Sequence, residues 1–178
     1  MIMKGIQSLP ESQQAAFKQA LLNQSQVVNA SISYDIPPGS MVRTIFRKTT
    51  AEKENTLHWY EVDYDFLATM QIELLEGRNF SRSLSTDTAS ILLNETAVKT
   101  LGSENLFNEE IIHTGTGRTF RVVGIIKDFN FESLRNEIQP MVLTLNSQGS
   151  YLSARIRSED ISATVAQIES LWKQYVPD

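Results

Sequence analysis

The chain has 178 residues, 41% of them apolar and 21% charged, with a net charge of −5. That suits one large domain or two small lobes with a real core, and it speaks against intrinsic disorder and against a strongly basic nucleic-acid binder. Cysteine is absent and the only histidines are His58 and His113, which excludes thiol nucleophiles, cysteine-ligated zinc, iron–sulfur clusters, disulfides and a histidine-rich metal cluster.

In chain order, Leu9 to Gln24 reads as a helix, with Ser8 as its cap and Glu11 as the capping-box partner. Phe17, Ala20 and Leu21 then share a face. Val28, Ala30, Ile32, Tyr34 and Ile36 alternate with polar residues, the period of a half-buried strand, which Pro37-Pro38-Gly39 ends. Residues 41–49 and 55–62 read as two more strands, joined by a polar turn. Asp63 is expected to cap a short helix reaching Met70. Ile72 to Leu75 is a short extended piece, and Ser81 to Thr88 a polar loop.

Ile91 to Leu93 reads as a buried strand. Asn94 caps the helix that follows, and Gly102 stops it. Residues 110–113 and 118–127 make a hairpin around Gly115-Thr116-Gly117. Met141 to Leu145 and Tyr151 to Arg157 are expected to pair with each other, with Gly149 in their turn. Ser158 to Asp160 opens a last helix, whose stripe of Ile161, Val165, Ile168, Trp172 and Tyr175 packs inward. The class is α+β, without the alternation of a doubly wound sheet. No run approaches the roughly 18 apolar residues of a membrane span, and the N-terminus lacks the apolar stretch of a signal peptide. As written the piece reads as soluble, although it could be cut from a membrane protein. Net charge is +2 over residues 1–60, −5 over 61–126 and −2 over 127–178, which marks the middle as a separate lobe.

Candidate chemistry is sparse. Gly115-x-Gly117 lacks the third glycine of a dinucleotide fingerprint, since position 120 is Phe, and no Walker A sequence occurs. The bland reading is a hairpin turn. His58 and His113 could each act as a base, but neither lies in a nucleophile motif. Asp63 and Asp65 could serve acid–base or calcium chemistry; helix capping is the simpler account. Glu104, Glu109 and Glu110 read as a solvated acidic loop. Phe129, Phe131, Leu134 and Ile138 are apolar residues in a polar setting, either a partner patch or a loop stapled to the core. Catalytic, cofactor and metal residues are therefore none, and partner-binding residues are unknown.

Four stretches carry a family resemblance. Val122 to Leu143 (VVGIIKDFNFESLRNEIQPMVL) is similar to the VvGVvkDFhfeSL segment of bacterial ABC-transporter permeases of the MacB/FtsX type. Val62 to Ser81 (VDYDFLATMQIELLEGRNFS) and Ile91 to Gly102 (ILLNETAVKTLG) resemble two upstream motifs of that family. The stretch from Arg155 (RIRSEDISATVAQIESLWKQYVP) resembles the last helix of its extracytoplasmic domain.

The resemblance implies two lobes. A discontinuous porter-like mixed sheet with helices would be built from residues 1–60 and 127–178, and a smaller sabre-like α/β lobe, 61–126, would be inserted between them. It implies a non-catalytic, cofactor-free domain on the periplasmic (extracytoplasmic) side of the cell inner membrane, set between two spans of a four-helix permease. Its partners would be a second permease protomer or half and a cytoplasmic ATPase, with an envelope protein, peptide or lipoprotein as substrate and no nucleic acid. The alternative is a free-standing peptide- or protein-binding module of the envelope; an uncharacterised hydrolase ranks third. At the junction after Ile126, Phe129 and Phe131 are expected to be partly buried.

Overall fold

The structure is a computed structural model, which describes residues 1–36, 42–102, 106–130, 137–157 and 159–176. Strand β1 (Ile2–Lys4) and a 3₁₀ turn (Ile6–Ser8) lead into helix α1 (Glu11–Leu22) and β2 (Val27–Ser33). Then come β3 (Val42–Lys48), β4 (Asn55–Val62), α2 (Phe66–Met70) and β5 (Leu74–Gly77). A second 3₁₀ turn (Ser85–Ala89) precedes β6 (Ser90–Asn94), α3 (Glu95–Thr100) and the hairpin of β7 (Glu110–His113) and β8 (Arg118–Ile126). The chain closes with β9 (Met141–Leu145), β10 (Tyr151–Ile156) and α4 (Ile161–Tyr175).

Six of these strands form a closed ring. β3 pairs with β4, and β4 runs parallel to β9. β9 pairs with β6, β6 runs parallel to β8, β8 pairs with β7, and β7 returns to β3. Closure removes the exposed edges that an open sheet presents. Alternate residues of each strand point inward. Phe46, Leu57, Ile91, Leu93, Ile111, Phe120, Val122 and Val142 fill the barrel, and Ala97, Val98 and Leu101 of α3 close one end. At the other end Trp59 Nε1 donates to Thr144 Oγ1 at 2.6 Å. Beside it the His113 ring bonds Thr44 Oγ1 and Thr116 Oγ1, each at 2.7 Å.

β1, β10 and β2 make a smaller antiparallel layer, joined to the barrel by a single bridge between Ser33 and Val62. Its inner face packs on α1 and α4 through Phe17, Leu21, Ala30, Ile32, Leu152 and Ile168. Phe17 meets Trp172 and Tyr175 edge to face, each at 5.1 Å. A third apolar cluster lies between the barrel's outer wall and α2, with Tyr60, Phe66, Phe80, Leu92, Met141 and Leu143 at its centre. α2 also packs on β2 and β10. It is therefore a wedge between barrel and terminal layer.

The strand pairings group the chain differently from the division at 60/61 and 126/127. β4 runs through the first boundary, and β3, β4 and β9 all belong to the barrel. The change of company falls at 36/42 and at 145/151. Charge is an average over a window, whereas closing a ring needs β3, β4 and β9 whatever the charge of their neighbours. β2 does share its layer with β10 and α4, as expected for a domain assembled from both ends of the chain.

Several local readings need correction. β9 and β10 do not pair with each other: β9 sits between β4 and β6, and β10 between β1 and β2. Gly149 lies between them because a Cβ there would meet the Ser33 carbonyl at 2.3 Å. Ser8 caps nothing on α1; its hydroxyl donates back to Gly5 O, and the N-cap residue is Pro10. Glu11 accepts instead from Ser147 and Gln148. In β2 a register shift opposite Arg155/Ile156 turns Val28 outward and Val27 inward. Ile161 is exposed, and Thr164 takes its place on the buried stripe of α4.

Candidate functional site

The Asn94 cap, Gly102 and the hairpin stand where the sequence put them. Asn94 Oδ1 accepts from Ala97 N at 3.0 Å and also from Met141 N at 2.8 Å, while its amide donates to Gln139 O. One side chain thus ties α3 to the segment entering β9. Gly77 ends β5 at φ 76°, and a Cβ there would meet Val123 O at 2.3 Å. Next to it Arg78 forks onto the fully buried Asp87 at 2.7 and 2.8 Å. Burial works against the charged form of Asp87, but the bonds from Arg78 and the Ser81 N–H outweigh it and hold the carboxyl below its ordinary range.

The densest polar constellation sits where α1 meets the end of β4. The Lys18 ammonium, nearly buried, contacts Asp63 Oδ2 and Asp65 Oδ2, each at 2.5 Å. Asp63 Oδ2 also accepts from Ile32 N at 2.8 Å, and its Oδ1 from Ser31 Oγ at 2.7 Å and Asp65 N at 3.1 Å. Arg82 reaches Asp65 from the loop after β5 at 2.6 Å and stacks over Tyr64. Burial opposes ionisation of Asp65, yet the hydrogen bonds from Arg82 and Lys18 prevail and lower its pKa.

This corrects the capping reading of Asp63 and Asp65. Asp65 is the N-cap residue of α2, but neither carboxylate caps the helix through its side chain. Together they bind a helix and a strand of the terminal layer (Lys18; Ser31 and Ile32) to the residues that leave the barrel. The pattern of two aspartates flanking Tyr64 is visible in the sequence. Their partner Lys18 is 45 residues away and carries no local signal.

The remaining candidates stay apart. His58 is buried in β4, where Arg43 Nε donates to its Nε2 at 3.2 Å. His113 lies at the barrel end; burial first, and then Arg118, lower its pKa. Among the described residues the His113 ring bonds two threonine hydroxyls, not a carboxylate or serine. Glu109 and Glu110 are exposed, and Glu104 lies outside the described residues. Phe129 and Ile138 are half-buried against the cluster around α2. Phe131 and Leu134 lie outside the described residues. Among the described residues no group of His, Asp and Glu is placed to hold a metal ion, and no helix is long and apolar enough to cross a membrane.

The arrangement is thus a joint, with a closed barrel on one side and an open α/β layer on the other, locked by a buried ion pair and a helical wedge. The periplasmic region of MacB from Actinobacillus actinomycetemcomitans superposes on it at a TM-score of 0.63 and 15% identity, over 90% of this chain and 72% of that one. The chain has the MacB periplasmic fold. The extracellular domain of the noncanonic ABC-type transporter YknZ from Gram-positive bacteria matches at 0.67 and 11% identity, over 97% and 91%. A domain of a Porphyromonas gingivalis protein assigned as a permease matches at 0.62 and 15%, over 88% and 75%. No family model matches the sequence, and no curated protein does. The likeness read from the four motifs thus agrees in overall fold with solved periplasmic and extracellular domains of transporters.

Proposed function

We propose that the chain is the extracytoplasmic domain of an ABC-transporter permease of the MacB/FtsX type. It performs no chemistry of its own. It relays the motion produced by a cytoplasmic ATPase to a substrate or partner in the envelope, working beside a second permease protomer or half. The observation that carries this reading is the joint. A relay needs its moving parts to be coupled, and here a buried ion pair and a wedge helix couple barrel and terminal layer over sequence separations of about 45 residues. The proposed lobes follow the pairings: the terminal layer (1–36 and 151–176) is the porter-like part, and the barrel (42–145) is the inserted part. The fold match covers nearly the whole chain, so both parts fall within the likeness.

Topology tests the reading directly. The chain has no cysteine, so one introduced at an exposed loop position, such as Ser83→Cys, reports alone. In intact cells carrying the gene with its natural flanks, a membrane-impermeant maleimide should label that cysteine, and the protein should sediment with the inner membrane. Labelling only after permeabilisation, or recovery in the cytosol, would reject the proposal.

A further inference from the structure

The alternation of β10 sends Leu152 and Ala154 into the core under α1 and α4, so Ser153 and Arg155 face the opposite side of the layer. That side is only partly covered by α2. Between the end of α2, β1 and Phe129 runs a groove of about 550 Å³, within the range of small-molecule sites. Ile36, Met70, Ile72 and Phe129 give it apolar walls. Among the described residues the only charged side chain lining it is Arg155, near the Met1 ammonium, and no carboxylate does, in a protein of net charge −5. Thr69 O holds the Arg155 Nε–H at 2.9 Å, which fixes the guanidinium against α2. Arg155 joins no ion pair among the described residues, so the N–H groups of both Nη atoms remain for a ligand. Two more polar groups stand in the same wall. The hydroxyls of Thr69 and Ser153, residues that are 3% and 4% exposed, make no hydrogen bond within the protein. Buried hydroxyls in this condition are uncommon. Here both residues line the groove beside Arg155.

We propose that this groove binds a small anionic amphiphile. A carboxylate or phosphate head would take the Arg155 guanidinium, the Ser153 and Thr69 hydroxyls turning out from beneath the groove's surface to join it, and a short apolar tail would lie against Met70, Ile72 and Phe129. A bidentate guanidinium–oxyanion pair gives the head its selectivity, and the apolar walls give the tail its affinity. The inference is independent of the permease reading, because it rests on the groove alone.

Calorimetric titration of the purified chain tests it, with decanoate, decyl phosphate, decanol and decyltrimethylammonium, all below micelle formation. The anions should bind at least roughly tenfold more tightly than decanol or the cation, as charge-assisted hydrogen bonds require. Whichever anion binds more tightly identifies the head group as carboxylate or phosphate. Arg155→Gln should remove that preference and leave decanol binding unchanged. Ser153→Ala should weaken the anions several-fold while raising the melting midpoint of the ligand-free chain, because it deletes a buried polar group without a partner. Equal binding of anion and alcohol would overturn the proposal. So would no binding below about 1 mM, or an anion preference that survives Arg155→Gln.

Discussion

The barrel and the terminal layer solve the same problem in opposite ways. The barrel closes its ring, so each of its six strands has two neighbours and its interior is a continuous apolar fill sealed by α3. The terminal layer stays open. Among the described residues β1 pairs with β10 alone, and α1 and α4 cover one face while α2 covers part of the other. Closure leaves little surface for a partner, whereas the open layer keeps both an edge and a groove. The contrast assigns stiffness to the barrel and contact-making to the layer, with the Lys18–Asp63 joint deciding whether the two behave as one body.

The largest test of that division compares one ring from each core. Phe46 in the barrel and Phe17 in the layer are both completely buried, so either change to alanine should cost about 3–5 kcal/mol. If the joint couples the parts, both variants show one unfolding transition in denaturant, shifted by a similar amount. Should Phe17→Ala lower only part of the signal and leave a second transition in place, the layer unfolds separately and the coupling is wrong.

Next comes the joint itself. Lys18→Met leaves the buried Asp63 and the half-buried Asp65 without their ammonium. Removing one partner of a buried pair typically costs about 3–5 kcal/mol. Asp63 keeps its bonds from Ser31, Ile32 and Asp65, so the lower end, about 3 kcal/mol, is expected. Arg82 is mostly exposed, and Arg82→Ala should cost less than about 1 kcal/mol. Chemical denaturation of the two variants side by side checks the ranking. Equal losses would move the weight of the joint from Lys18 to the surface.

Asn94→Ala should cost about 2 kcal/mol, since it removes a cap and leaves the Met141 N–H without its acceptor. Hydrogen exchange at the Ala97 and Met141 amides reads this locally: both should accelerate in the variant, and protection retained at Met141 would show that the cap does not reach β9.

What was legible in the sequence follows the range of each interaction. The Asn94 cap, the helix stop at Gly102 and the β7–β8 hairpin are built from neighbours a few residues apart, and their residue types state them. The stripe of α4 was readable except at its first position, where Ile161 leaves the surface that Thr164 covers. Failures came where pairing is distant. β9 and β10 are adjacent in the chain and strand-like, so a hairpin was the natural expectation; only ring closure with β4 and β6 separates them. Val28 faces outward because it is the extra residue of β2 where Arg155 and Ile156 of β10 pair with Asn29 and Val27. Asp63 and Asp65 announced themselves as charged residues at a helix start, but nothing near them named Lys18. The groove was invisible for the same reason, since Arg155, Thr69 and Phe129 meet only in the folded chain. The family motifs carried the overall fold because they encode distant pairings that local periodicity does not.

The smallest expected effect is the pH dependence that His113 gives the barrel. His113 lies among Thr44, Thr116, Trp59 and Phe46, with Arg118 close by. Burial, and then Arg118, lower its pKa below the ordinary 6.5. The unfolded chain therefore takes up a proton more readily than the folded one. The sign follows: stability is complete above about pH 6.5, falls as pH drops through that value, and levels off once the folded imidazole is also charged. Asp65 and Asp87 have carboxyls held below their ordinary range, so their contribution is lost only at lower pH, as it falls below about 3.8. The two acid losses should thus separate along the pH axis. Melting midpoints of the native chain should decline between pH 7 and 5, and His113→Gln should flatten that decline while leaving the steeper loss below pH 4. A slope between pH 7 and 5 that survives His113→Gln unchanged would remove His113 as its source and point to another group, such as the Met1 ammonium, whose pKa burial and Arg155 also lower.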